Sequence, residues 1–414
     1  MQKNNSFYKW ELLIWLWLAY FFNQGDRQIF NIALPLIKAD LGLSDAQLGL
    51  VGSIFILTLG VCFPIAGFVG DIFNRKKIVG YSLLFWSLAT FLTGFGSSLV
   101  HLIILRSLSV GGGEAFYAPA ANGLIGQFHH KSRALAMSIH QTSLYTGVIV
   151  SGALGGYIAQ TYGWKNTFFL YGGAGVLLAI ILFWRLQPTV SAMSDLTWND
   201  QKRFIKASSM ELISKPSAIL LCVAFLSLVI VNVGYTTWMP TFLHEKFNLS
   251  IAEAGFNSMF YHHVFAFAGV IIGGIISDQL ALKATKNRLI IQGLGLLMGV
   301  PFIYGMGQAE SPFLTYVALS GFGFFRGLYE ANLYATLFAV IEPAYRSTSV
   351  GLSAMFAFII ASLVPFLLGY LKPTLGLSNG LSALSVSFLI GGIAILIVLR
   401  FYFQKDSQLK TEEV

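Results

Sequence analysis

Apolar residues in this chain gather into runs of about twenty or more, separated by short polar clusters. The runs cover residues 10–36, 47–70, 78–97, 100–124, 134–159, 164–186, 217–243, 252–277, 289–307, 312–341, 348–371 and 379–403. A helix crossing a bilayer needs about 20 mostly apolar residues, so each run predicts a transmembrane helix. The segment 187–216 differs. It holds Asp195, Asp200, Lys202, Arg203, Lys206 and Lys215 among Trp198, Phe204, Ile205, Met210, Leu212 and Ile213. That pattern suits an amphipathic helix lying on the membrane surface. The expected architecture is an all-α integral membrane protein with twelve transmembrane helices. They form two pseudo-symmetric six-helix bundles, residues 1–186 and 217–414, joined by a cytoplasmic linker at 187–216.

Composition agrees. Of 414 residues, 56% are hydrophobic and 11% charged, against about 25% charged in a soluble domain. So few charges cannot make a water-facing surface, so the lipid bilayer is the main partner. Cys62 and Cys222 sit inside apolar runs and read as small hydrophobes, with no disulfide framework or metal site. The first run lacks a small-residue cleavage site and continues past Asn23, which marks a retained helix rather than a signal peptide. With the N-terminus placed inside, four of the 26 Lys and Arg (Lys38, Lys165, Lys246, Lys372) fall on outer loops and three (Arg27, Arg106, Arg326) inside runs, which leaves nineteen on the inner side. This bias places both termini in the cytoplasm. It also accounts for the net charge of +8 without nucleic acid.

The halves echo one another. Ser44-Asp45-Ala46-Gln47 and Ser250-Ile251-Ala252-Glu253 each predict a capping box at a helix start. Gly67-x-x-x-Asp71 and Gly274-x-x-x-Asp278 close the same two helices. Arg106 with Glu114 in the fourth run is answered by Arg326 with Glu330 in the tenth. Parallel halves of this kind are a transporter design.

Gly67 to Lys77 carries the first chemical motif. Glycine allows close helix packing. A carboxylate at a helix C-terminus, as at Asp71, opposes the helix dipole unless a cation or a neighbouring helix N-terminus holds it. With Arg75, Lys76 and the echo at Asp278, this is the logic of a cytoplasmic gate latch. The stretch resembles the signature between helices 2 and 3 of the major facilitator superfamily at Gly67, Asp71, Arg75 and Lys76. It departs at Ile72, where arginine is usual, and at Asn74, where glycine is usual. Phe73-Asn74-Arg75-Lys76, Asp26-Arg27 and the run from Arg106 through Gly112-Gly113-Glu114-Ala115 to Tyr117 resemble the spinster-like branch. The anion–cation symporter branch shares the Asp-Arg and Gly-Glu-Ala patterns and is the second resemblance. Both imply the major facilitator fold.

Asp26, Arg27, Arg106, Glu114, Arg326 and Glu330 lie within apolar runs. Each charge at a bilayer centre costs roughly 2.5–3.5 kcal/mol on insertion scales, so these groups must pair, face inward or touch water. At about 1.5 Å per residue, Asp26 and Arg106 fall at one depth in the outer half. Asp26 is the expected proton-binding carboxylate, with Arg106 beside it: an adjacent cation favours the ionised form and burial the protonated one. The spinster-like resemblance implies the same pairing. Glu114 and Glu330 lie deeper, with Arg27 and Arg326 completing a central charge network. Arg326 and Glu330 are one turn apart and can pair locally.

Polar and aromatic residues inside the runs are the cavity candidates: Asn23, Gln24, Tyr117, His140, Gln141, Asn232, Tyr235, Trp238, Tyr261 and His262. Interhelical hydrogen bonding is the competing role for each. His262-His263 has no third ligand at a suitable spacing, so no metal is read. The sequence has no phosphate-binding Walker loop, Gly-x-Ser-x-Gly elbow or His-Glu-x-x-His motif, and no catalytic residues are assigned. The fifth run lacks the Gly-Pro dipeptide typical of the superfamily's drug–proton antiporters, which favours symport.

The expected function is proton-coupled alternating access for a small organic solute, an organic anion or sugar acid, with the proton as coupling ion and no cofactor. Cavity arginines suit a carboxylate. The alternatives are a lysolipid or sphingoid-like cargo, as the spinster-like resemblance implies, and a non-transporting membrane sensor. A monomer in a bacterial plasma membrane is the expected working form.

Overall fold

The computed structural model describes residues 6–187 and 198–407; the charged positions Lys3, Asp195 and Lys410 lie outside them. Twelve long apolar helices follow in order. The first six are α1 (Ser6–Leu41), α2 (Asp45–Ile72), α3 (Arg75–Thr93), α4 (Leu99–Phe128), α5 (Arg133–Tyr162) and α6 (Trp164–Arg185). After a linker helix (Trp198–Ser214) come α7 (Pro216–Phe247), α8 (Ile251–Ala281), α9 (Asn287–Gln308) and α10, which runs from Pro312–Glu330 into Leu333–Val340. The last two are α11, from Arg346, and α12, to Asp406, separated where Gly376 takes φ +71°, a conformation that glycine adopts without strain.

Seven segments of the described residues meet a strict length and hydropathy test for spanning a membrane, and one of them, Thr348–Asp406, contains both α11 and α12. Helices α1, α3, α5 and α10 fall outside that set; in α1 the polar interruption from Asn23 to Gln28 dilutes the apolar run. Helices are the natural solution here, because hydrocarbon offers no partner to an open backbone. The caps follow the sequence. Ser44 and Gln47 exchange both hydrogen bonds of a capping box at α2, and Ser250 and Glu253 do so at α8.

Two compact units result, Met1–Asp195 with Leu243–Met259, and Leu196–Phe242 with Phe260–Val414. In the first, α1 packs on α5 and α3 on α6, while α4 lies against α2 and α3. In the second, α9 packs on α10 and α12. The linker helix belongs to the second unit: Lys215 Nζ donates to the Val340 carbonyl at 2.8 Å, and Glu211 Oε1 accepts from the Glu342 N–H at 3.3 Å. Its Leu212 is buried, whereas Ile205, Met210 and Ile213 stay exposed; the side chains of Trp198, Lys202, Arg203 and Phe204 lie outside the described set.

Close backbone approach places the functional helices. A Cβ at Gly111 would press on the Phe55 carbonyl of α2 at 3.2 Å, and one at Gly113 on the Trp86 backbone of α3. At Gly323 and Gly327 of α10 a Cβ would overlap the carbonyl oxygens of His262 and Ala266 in α8. Gly67 and Gly274 behave otherwise. Among the described residues nothing lies within 4 Å of a Cβ built at either.

Candidate functional site

Helix α4 is not a plain α-helix. Leu102–Val110 forms a π-helical stretch, and Arg106 sits in its middle. Such stretches insert a residue into the turn and are frequent at functional sites. Ser107 Oγ donates to the Val51 carbonyl at 2.7 Å, tying the stretch to α2. Arg106 is thereby turned inward, 2% exposed. Its Nη2 donates to the Arg27 carbonyl at 3.2 Å, and its guanidinium lies 4.4 Å from the centre of the Phe55 ring.

The direct pairing expected between Asp26 and Arg106 is not made. Asp26, 1% exposed, accepts a hydrogen bond from Thr90 Oγ1 of α3 at 3.2 Å through Oδ2. Arg106 is near enough to act on it through charge alone. The ion pair of the cluster is instead Arg27 Nε to Glu114 Oε2, at 2.6 Å. The physical reason lies in side-chain reach. Depth counted along backbones put Glu114 a separate level below Arg27, but an extended arginine spans more than one helical turn. Meanwhile the Arg27 carbonyl and the Phe55 face occupy Arg106.

This cluster has unused capacity. Asp26 Oδ1, Glu114 Oε1, and Arg106 Nε and Nη1 are buried without a hydrogen-bond partner. The Glu114 side chain is fully buried, while that of Arg27 is 27% exposed. Among the described residues Arg27 hydrogen-bonds Glu114 through Nε, and its Nη groups make no hydrogen bond. A guanidinium presented this way matches a carboxylate in two-point fashion.

The second unit repeats the theme with a different arrangement. Arg326 Nε and Nη2 both donate to Glu330 Oε1, at 3.0 and 2.8 Å. Nη1 meets Asn232 Oδ1 at 2.8 Å and His262 Nε2 at 2.7 Å. Since arginine only donates, His262 Nε2 accepts, and the ring is neutral with its proton on Nδ1. Tyr235, fully buried, packs on His262 with centroids 4.6 Å apart, and His263 meets the same ring edge-on.

Other candidates are placed elsewhere. Tyr117 donates to the Leu16 carbonyl and pairs with His140 Nε2 at 3.1 Å, and Tyr20 stacks on His140 at 4.8 Å. Gln24 Nε2 donates to Asn23 Oδ1 at 2.8 Å, and both residues are buried. Gln141 is exposed. Trp238 is fully buried and donates to the Pro365 carbonyl at 3.0 Å, a packing role. Tyr261 stacks on Tyr316 at 4.5 Å. Thr90, Phe55 and Trp86 escaped the sequence reading; Thr90 alone left a signal, a hydroxyl in the apolar run of α3.

At the loop ends, Arg75 Nε donates to the Gly70 carbonyl at 3.2 Å and lies over Gly123. The backbone N–H groups of Lys76 and Lys77 are capped by Asn74 Oδ1. The Asp71 side chain lies outside the described set. Asp278 pairs with Arg288 at 2.6 Å, Arg288 reaches Asn332 at 3.2 Å, and Asn332 donates to Ser277 at 2.6 Å. This chain staples α8, α9 and α10 within one unit.

The model of the Major Facilitator Superfamily matches residues 16–365. The chain belongs to the Major Facilitator Superfamily. It is a multi-pass membrane transporter rather than an enzyme. Among curated relatives of this major facilitator is a probable galactarate/D-glucarate transporter of Bacillus subtilis, 26% identical over 90% of this chain and 87% of the relative. A hexuronate transporter of the same organism is 24% identical over 95% of this chain and 94% of the relative. A probable sulfoacetate transporter of Cupriavidus necator is 27% identical over 86% and 85%. Among solved structures, an inward-facing, unoccupied bacterial homolog of the human lysosomal transporter Spinster superposes with a TM-score of 0.81 at 21% identity, covering 97% of this chain and 99% of the other. That likeness establishes the twelve-helix fold.

Proposed function

We propose that this protein takes up a sugar acid in symport with protons across a plasma membrane, by alternating access. The observation that carries the reading is the Arg27–Glu114 pair beside Asp26 and Arg106, with unsatisfied polar atoms on three of the four side chains. Relatives named for galactarate, glucarate and hexuronate support the cargo class.

The chemistry runs as a competition. A substrate carboxylate binds the Nη groups of Arg27 and weakens its hold on Glu114. Glu114 then sits in a water-poor site without its cation, and a carboxylate there is carried at least cost with a proton attached. One entering negative charge is thus matched by one proton. Asp26, held by Thr90 and the field of Arg106, supplies a second such group for a dianionic sugar acid. The proton shifts the conformational equilibrium only by its differential affinity for the two states.

Purified protein in liposomes, given an inside-alkaline pH gradient, is expected to accumulate labelled glucarate or galacturonate and to lose accumulation when a protonophore is added. Equal uptake with and without the gradient refutes coupling. Absence of any sugar-acid flux, with saturable movement of a lysolipid, would instead favour the amphiphile reading that the Spinster-like fold alone suggests. Ligand binding without flux or counterflow would point to a sensor.

A further inference from the structure

The second unit contains a cavity that the charge chemistry does not use. It lies among α7, α9, α10 and α11 and is open at one end. Gln292, Tyr329 and Ser353 form its inner end, all buried; Cys222 and Phe225 are half-buried and Tyr334 is exposed at the mouth. Both amide atoms of Gln292 and the Tyr329 hydroxyl are buried with no hydrogen-bond partner. No Lys, Arg, Asp or Glu lines the cavity.

Pseudo-symmetry shows what is missing. Leu16, Tyr20 and Trp86 in the first unit correspond to Leu221, Phe225 and Gln292, at a spacing of 205–206 residues close to that of the capping boxes. Tyr117 and Tyr329 are both fully buried tyrosines, on the paired helices α4 and α10. His140 and Ser353 each stand seven residues beyond the arginine that opens its helix, Arg133 in α5 and Arg346 in α11. In the first unit the imidazole of His140 fills the space, stacks on Tyr20 and bonds Tyr117. In the second unit serine stands there. Its hydroxyl points back to the Ser349 carbonyl at 2.7 Å, and the tyrosine is left unpartnered.

We infer that this cavity is a binding site for a small, uncharged molecule with an apolar body and one hydroxyl- or amide-type end, which hydrogen-bonds Gln292 and Tyr329 in the role His140 plays for Tyr117. Neutral ligands are selected because the inner end has donors and acceptors but no charge, and an ion would be stripped of water without compensation. The mixed lining is that of a ligand pocket, apolar walls with a few convergent polar groups. The site is separate from the Arg27 cluster, so its failure leaves the anion reading untouched.

The test uses the full-length protein in lipid nanodiscs and a pentanol bearing a diazirine as photolabel, with attachment sites read by mass spectrometry. The expected result is saturable labelling on α7 and α10 near Phe225, Tyr329 and Leu333, competed by pentanol and not by pentanoate. Gln292→Leu removes a neutral hydrogen bond and is expected to weaken half-saturation about five- to tenfold. Ser353→Phe fills the space and is expected to abolish labelling there. Labelling that grows linearly with probe and stays on lipid-facing side chains overturns the inference. So does equal competition by pentanoate, or unchanged labelling in a monodisperse Ser353→Phe variant. If that variant does not fold, saturation and competition in the wild type decide alone.

Discussion

Glu114→Gln isolates the proposed coupling step. The glutamine keeps the shape of the side chain and can still accept from Arg27 Nε, which now lies 2.6 Å from Glu114 Oε2. What it loses is the charge. A hydrogen bond to a charged group is worth about 1.5–3 kcal/mol, against about 1 kcal/mol for a neutral one. Arg27 is therefore released by roughly 0.5–2 kcal/mol, and a competing carboxylate is expected to bind about two- to thirtyfold more tightly. Because Glu114 is fully buried, the desolvation that its charge costs is relieved as well, so folding stability changes by less than about 2 kcal/mol. Isothermal titration with glucarate between pH 5.5 and 8 measures the first part. The wild type is expected to tighten as pH falls, because the displaced carboxylate takes up a proton. In the variant that dependence is reduced to the share of Asp26. Liposome assays measure the second part: substrate exchange persists while accumulation driven by the pH gradient is weakened. Unweakened gradient-driven accumulation by the variant, or a loss of affinity, would refute the competition.

Gly327→Ala would push a methyl group into the Ala266 carbonyl of α8. Overpacking of this kind costs about 1–3 kcal/mol, so a lower melting temperature is expected, together with loss of the Arg326–His262 contact. His129, outside the spanning segments, bonds the Lys9 carbonyl at 2.8 Å and Ser132 at 3.0 Å, and burial holds its pKa below 6.5. The unfolded chain then takes up the proton more readily, so this contribution is present above about pH 6.5 and lost as pH falls. Melting curves at pH 7.5 and 5.5 are expected to converge in His129→Gln relative to the wild type. Asp40 accepts from Lys165 at 3.1 Å and the Trp164 indole at 3.0 Å, contacts that lower its pKa below 3.8. Its stabilisation is present above pH 3.8 and lost as pH falls below; Asp40→Asn is expected to remove that acid-side slope and to lower the melting temperature slightly at pH 7, by the small amount an exposed ion pair supplies.

What the sequence disclosed divides along physical lines. Run length and polar punctuation report the bilayer directly, so the twelve helices and both capping boxes were legible. So were the residues of the charge cluster, because ionisable groups in hydrocarbon are too costly to be placed idly. Their partners were not legible, and the reason is local. Arg106 lies in a π-helical stretch, which rotates everything beyond it relative to an ideal helix, and no residue type in Leu102–Val110 announces that insertion. Phe55, the ring between the Arg27 and Arg106 guanidiniums at 5.8 and 4.4 Å, looks like any other phenylalanine of an apolar run. The i,i+4 pair Arg326–Glu330 shows the contrast: within one regular helix, spacing alone sets geometry. The cavity beside Tyr329 makes the same point from the other side. A serine in α11 carries no signal by itself, and it gains one only when the histidine seven residues into α5 is seen filling the equivalent space. A paired helical architecture therefore encodes part of its chemistry as a difference between halves, and that difference is where a site for a second ligand can arise.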